Sequence, residues 1–125
     1  MRYVGARVSK EQSNFETLAV VKSHLDAVLS GDPAAMATDY AESAVLIRGT
    51  DIYSGIIEIE KYFRSLPERM RCSEIEFLAP QVSGKTATFK WKIQKIDAHF
   101  EGIDTVVVTN GKIINHLVEL LSEDF

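Results

Sequence analysis

Phe100-Glu-Gly-Ile-Asp-Thr-Val-Val-Val-Thr-Asn-Gly-Lys-Ile-Ile-Asn-His-Leu-Val-Glu-Leu-Leu121 contains two runs of period-two hydrophobicity separated by a turn signal, Asn110-Gly111. On the first run, even positions carry Phe100, Asp104, Val106 and Val108, while odd positions carry Glu101, Thr105 and Thr109 along with Ile103 and Val107. The even face is therefore the drier. On the second run the even positions are Ile114, His116, Val118 and Leu120, against Asn115 and Glu119 among the odd ones. The turn decides whether these two faces coincide, because a slip of one residue flips every side chain. A two-residue turn at Asn110-Gly111 pairs Thr109 with Lys112 and sets His116 opposite Thr105, which mixes wet with dry. A three-residue loop, Thr109-Asn110-Gly111, with Gly111 left-handed, pairs Val108 with Lys112 and sets His116 directly opposite Asp104. The second register satisfies both hydrophobic patterns and is the one expected. Directly opposite residues have Cβ atoms about 4.5 to 5.5 Å apart, within reach of a carboxylate–imidazole hydrogen bond.

Upstream of this hairpin the period stays at two. Ala87, Phe89, Trp91 and Ile93 alternate with Thr88, Lys90, Lys92 and Gln94, and Ile75, Phe77 and Ala79 alternate with Glu74 and Glu76 across a Ser83-Gly84 turn. With a further turn near Asp97-Ala98, the expectation is a four-stranded antiparallel meander. Toward the N-terminus the spacing becomes helical. Two capping boxes, Ser9-x-x-Gln12 and Ser13-x-x-Glu16, compete to open a first helix with the stripe Phe15, Leu18, Val21, Leu25 and Val28, closed by Gly31. Asp32-Pro33 then starts a short second helix running to about Tyr40. Val45-Leu-Ile47, Gly49-Thr-Asp51 and Ile52-Tyr53 read as a small hairpin. Ser54-Gly55 opens a third helix with Ile56, Ile59, Phe63 and Leu66 at helical spacing, expected to stop at Pro67. Helices followed by a run of strands indicate an α+β fold.

Composition narrows the partners. The 125 residues fit one domain, and with 46% hydrophobic and 26% charged residues the chain is an ordinary globular one. A net charge of -4 argues against a nucleic-acid partner. Met1 to Val8 lacks the apolar run of a signal peptide and no stretch has the length of a membrane span, so a soluble, cytoplasmic location without membrane contact is the expectation. The single cysteine, Cys72, can form neither an internal disulfide nor a zinc cluster and is expected to be a plain thiol. The glycines form no phosphate loop, the histidines have no metal-ligand spacing, and no serine sits in a nucleophile elbow. No cofactor is implied.

The order helix, Gly31-Asp32 break, helix, short strand, Tyr53-Ser-Gly55, helix, and a meander ending Asp104-x5-Asn110-Gly-Lys-Ile-x-x-His116 resembles the nuclear-transport-factor-2-like superfamily. Within it, the SnoaL-like polyketide cyclases and ketosteroid isomerases are most similar, over about residues 9 to 121. The resemblance implies a cone: a curved antiparallel or mixed sheet wrapped around three N-terminal helices, with a pocket between them. It also implies a homodimer formed through the sheet, here by faces bearing Thr88, Lys90, Lys92, Gln94 and Thr105. Asp104 matches the acid of the ketosteroid isomerases, and His116 matches the histidine of the SnoaL-like Asp-Gly-Lys-Ile-x-Glu-His-Trp signature, whose Trp and second acid are absent from this chain, where Leu117 and Val118 stand. The isomerases' phenolic donor falls at His24 and their base at Arg48. An arginine stays protonated and cannot be a general base, which disfavours the steroid isomerase reaction.

The function expected is a cofactor-independent acid–base enzyme, an isomerase, cyclase, dehydratase or hydrolase, acting on a small, mostly apolar or aromatic carbonyl compound. Asp104 would be the acid or base and His116 its partner. His24 and Arg48 would supply polar lining, and Tyr40, Phe63, Phe89 and Trp91 an apolar wall. The alternative is a non-catalytic binding or dimerisation domain, in which the Asp–His pair fixes strand register, His24 is a satisfied boundary residue and Arg48 is solvated at its strand end. An open cavity of roughly 300 Å³ or more beside Asp104 and His116 would favour the enzyme, whereas a pair sealed in packed core or pointing outward would defeat it.

Overall fold

The computed structural model describes residues 10–70, 74–95 and 98–122. Helix α1, Lys10–Ser30, closes where Gly31 turns left-handed (φ 74°) and its N–H reaches the carbonyls of Ala27 and Val28. Asp32 then accepts hydrogen bonds from the amides of Ala34 and Ala35, with Pro33 at the first helical position, and so caps α2, Pro33–Ala37. Strand β1, Tyr40–Arg48, turns through Gly49-Thr50 into β2, Asp51–Ser54. Helix α3, Ile56–Met70, follows, and the rest is sheet: β3, Glu74–Phe77; β4, Gln81–Ser83; β5, Thr86–Lys95; β6, Ala98–Thr109; and β7, Lys112–Leu120.

These strands form one sheet in the order β2-β1-β7-β6-β5-β3, with β4 also pairing β5. All pairings are antiparallel except β1 with β7, so the sheet is mixed and the early hairpin is joined to the late meander. Its inner face and the helices share one core, in which Val21 and Leu25 of α1 and Ile59 and Phe63 of α3 meet Leu46, Phe89, Ile93 and Val106 of the strands. The α+β class with N-terminal helices over a mixed sheet is the one expected from the sequence. No helix among the described residues is long and apolar enough to cross a membrane.

Several local expectations are corrected. The second helix ends at Ala37, three residues before Tyr40, and Tyr40 is the first residue of β1. Pro67 does not stop α3, which runs on to Met70; a proline near a helix end forfeits one hydrogen bond without preventing a last turn. The first meander strand is split into β3 and β4, which both pair with β5. On α1 the buried residues are Thr17, Val21, His24, Leu25 and Ala27, whereas Phe15 is 74% exposed. The stripe is rotated because polar bonds pin the helix: Thr17 donates its hydroxyl to the carbonyl of Gly84, and Asn14 accepts from the Gly84 amide. The second capping box lies inside α1, while Ser9 of the first box and Cys72 lie outside the described residues.

The decisive hairpin is corrected too. Asn110 (φ 53°) and Gly111 (φ 76°) form a two-residue turn that pairs Thr109 with Lys112. One extra residue on β7 then shifts the register, so that Val108 pairs with Ile113 and Val107 with Asn115, leaving Ile114 as the bulge. His116 faces Val106, and Asp104 faces Val118. The bulge does what the expected three-residue loop was to do: it restores the dry face of β7 to the side on which Asp104 lies. Ile113 is buried before the bulge, and His116 and Val118 after it.

Candidate active site

Asp104 and His116, diagonal neighbours on β6 and β7, are 8% and 3% exposed, and His116 Nε2 lies 2.7 Å from Asp104 Oδ2. Diagonal cross-strand residues are farther apart than opposite ones, but a carboxylate and an imidazole span the gap. The other ring nitrogen, Nδ1, is 2.5 Å from the hydroxyl of Tyr40 at the start of β1. Burial, followed by the nearby Asp104, Tyr62 and Asp39, pushes the Tyr40 pKa well above its ordinary value, so Tyr40 remains a phenol. A neutral imidazole has one donor and one acceptor nitrogen. In the tautomer that carries its proton on Nε2, His116 donates to the carboxylate and accepts a hydrogen bond from the Tyr40 hydroxyl at Nδ1. The second carboxylate oxygen, Asp104 Oδ1, accepts from the indole N–H of Trp91 on β5 at 2.8 Å. The donors thus run from Tyr40 to His116 to Asp104, and from Trp91 to Asp104, and converge on the carboxylate.

His24 closes the arrangement from α1. Its Nε2 stands 3.5 Å from the Tyr40 oxygen, and its ring meets that of His116 edge-on at 5.9 Å. Burial, then the proximity of His116, lower its pKa to about 3 against an opposing contribution from the Met36 backbone, so His24 is neutral at ordinary pH. Arg48, at the end of β1, turns inward and is 4% exposed rather than solvated; it donates to the hydroxyl of Tyr62 on α3 at 2.7 Å.

His24, Arg48, Asp104 and His116 line one cavity, whose apolar wall includes Phe63, Phe89 and Trp91. Of the residues expected at the site, only Tyr40 is elsewhere: it stands behind His116 and supports the ring instead of touching the cavity. The free volume is about 50 Å³, far below the roughly 300 Å³ expected. Since a water occupies about 10 to 15 Å³ on this measure, there is room for a few waters or a handful of non-hydrogen atoms.

Residues 21–116 match the family model described as SnoaL-like domain. The chain belongs to the SnoaL-like family. Among solved structures similar to this SnoaL-like chain, a "putative ketosteroid isomerase" from Kribbella flavida aligns with a TM-score of 0.79 at 12% identity, over 90% of this chain and 83% of that one. A "putative polyketide cyclase" from Sinorhizobium meliloti aligns with a TM-score of 0.69 at 17% identity, over 81% and 94%. An NTF2-like protein of unknown function from Mesorhizobium loti aligns with a TM-score of 0.76 at 17% identity, over 87% and 93%. Among curated proteins none matches in sequence. At these identities the neighbours establish the fold alone, and the chemistry rests on the side chains.

In this SnoaL-like chain two contributors escaped the sequence reading. Tyr62 is not among the residues expected at the site, and its hydroxyl accepts from Arg48. Gly102 lies directly opposite Trp91 on β6. Nothing in the local pattern distinguishes Tyr62, but a glycine in the interior of a strand does signal a close approach by another group. Among the described residues no cluster of His, Cys, Asp or Glu is placed to hold a metal ion.

Proposed function

We propose that this protein is a cofactor-independent proton-transfer enzyme acting on a small, mostly apolar carbonyl compound, in the isomerase, cyclase, dehydratase or hydrolase range. The observation that carries the reading is Asp104 itself: a carboxylate held at each oxygen by a donor, in the wall of a cavity that combines apolar side chains with Arg48, His24 and His116. Each carboxylate oxygen keeps a further lone pair. In the proposed step one of these takes a proton from the carbon next to the substrate carbonyl. The C–H bond breaks, an O–H bond forms on Asp104, and the electron pair moves onto the carbonyl oxygen as an enolate. Arg48 stabilises that oxygen, a role that suits a permanently protonated guanidinium. Return of the proton to a different carbon completes an isomerisation. His116, braced by Tyr40, keeps the carboxylate aimed throughout. The volume of about 50 Å³ restricts the substrate to a few heavy atoms unless the side chains at the mouth move aside.

A small enolisable ketone such as acetone or cyclopentanone in D2O tests this reading. The enzyme should exchange the α-protons faster than buffer, as followed by proton NMR. The same small volume favours a second reading, a binding domain whose Asp–His pair serves the fold; that domain would give no exchange above buffer with any of a panel of small ketones.

We further propose a homodimer through the outer face of the sheet. Thr88, Thr105 and Leu117 form a row across β5, β6 and β7 on that face, and Leu117 is 40% exposed.

A further inference from the structure

Gly102 has no need of glycine for its own backbone, since it is not among the glycines with positive φ. What requires it is the indole. A Cβ placed on Gly102 would lie 2.2 Å from Trp91 Cζ2, 2.5 Å from Cε2 and 2.9 Å from Nε1. No real side chain tolerates the first of these distances, and the neighbour is a rigid ring. Gly102 and Trp91 are direct partners between β6 and β5, so the ring lies across β6 at the place where a side chain is missing. Its N–H edge is thereby directed along the strand to Asp104, two residues on and on the same face, where Nε1 meets Oδ1 at 2.8 Å.

We infer that Gly102 and Trp91 together are a positioning device for Asp104: the glycine is the seat of the indole, and the seated indole holds one carboxylate oxygen while His116 holds the other. Without the seat the ring tilts away and the carboxylate loses one of the two donors that orient it. A glycine inside a strand costs stability, which this arrangement explains. The effect on rate rests on the proposed role of Asp104, but the geometry can be tested without any activity.

Trp91 is the single tryptophan, so its fluorescence reports this ring alone. The test is the emission spectrum, and its quenching by acrylamide, of wild type, Gly102→Ala and Asp104→Asn, each shown to be folded by circular dichroism. Gly102→Ala should shift the emission and change the quenching because the ring leaves its seat, whereas Asp104→Asn, whose amide oxygen can still accept from the indole, should leave both near wild type. Wild-type emission and quenching in Gly102→Ala would overturn the inference. Should Gly102→Ala fail to fold, the alanine can be introduced together with Trp91→Phe, whose shorter ring leaves the seat open. The double variant should then fold, whereas failure of the alanine in both backgrounds would show that it acts through something other than the indole. In the exchange assay, Gly102→Ala should lower the rate by between about tenfold and a hundredfold. The expected emission shift in Gly102→Ala with no exchange in wild type would contradict the enzyme reading and leave the positioning device standing.

Discussion

His24 shows what one residue costs and supplies. It is 2% exposed and its pKa is lowered to about 3 from 6.5. The unfolded chain takes up a proton below about pH 6.5 that the folded chain refuses until about pH 3, so stability is complete above that window and is lost as pH falls through it. Lowering the pH from about 7.5 to 5.5 should remove on the order of 1 kcal/mol through this residue. Urea unfolding of wild type and His24→Gln at those two pH values checks this: the variant should lose less by that amount. Equal losses would mean that His24 is protonated in the folded protein. The sequence suggested a boundary residue here, because a histidine at the edge of an apolar stripe carries no mark of how deeply its helix is set. Thr17 and Asn14, bonded to Gly84, determine that depth, and the pairing of residues about 70 positions apart is not a local signal.

At the scale of elements, the hairpin from Phe100 to Leu121 brings Asp104 and His116 onto one face in a different register from the expected one, diagonal and not directly opposite. Both dry faces are visible in the alternation, and in the folded chain they coincide. The chain achieves this with a two-residue turn and a bulge at Ile114 instead of a longer loop. Hydrophobic parity records only that one residue is inserted somewhere, and the turn and the bulge give the same parity. The turn makes its own demand on the backbone, since Asn110 sits at φ 53°. Asparagine accepts that conformation more readily than other non-glycine residues, and Asn110→Ala should destabilise by about 1 kcal/mol in urea unfolding, while Asn110→Gly should cost little. A similar loss for both would argue that the Asn side chain, not the backbone angle, is what matters. The second helix gives a comparable lesson: Asp32-Pro33 marked its start, but nothing in Met36 to Tyr40 marked an end, and parallel pairing of β1 with β7 took Tyr40 into the sheet.

Over the whole molecule, the helix-then-strand order made the fold class legible, because amphipathic periods report which elements exist. They do not report that β1 lies parallel to β7, a pairing between residues far apart in the chain, and this is the contact that brings Tyr40 behind His116. The cavity volume was illegible for a related reason, since packing depends on side chains from every element at once. The outer face of the sheet acts at the same scale. If a second copy covers Leu117, the wild type should sediment as a dimer and Leu117→Lys as a monomer with unchanged circular dichroism; a monomeric wild type at micromolar concentration would contradict it.

In the proposed reaction Asp104 moves the proton, and Asp104→Asn tests this with little change of volume: the amide oxygen can still accept from Trp91, and the amide NH2 requires His116 to present an unprotonated Nε2. The measurement is the ratio of α-proton exchange rates between wild type and this variant, on a small ketone that the wild type turns over. The variant should lose about a hundredfold or more in rate with binding of the ketone retained. Exchange by the variant at the wild-type rate would contradict that role for Asp104.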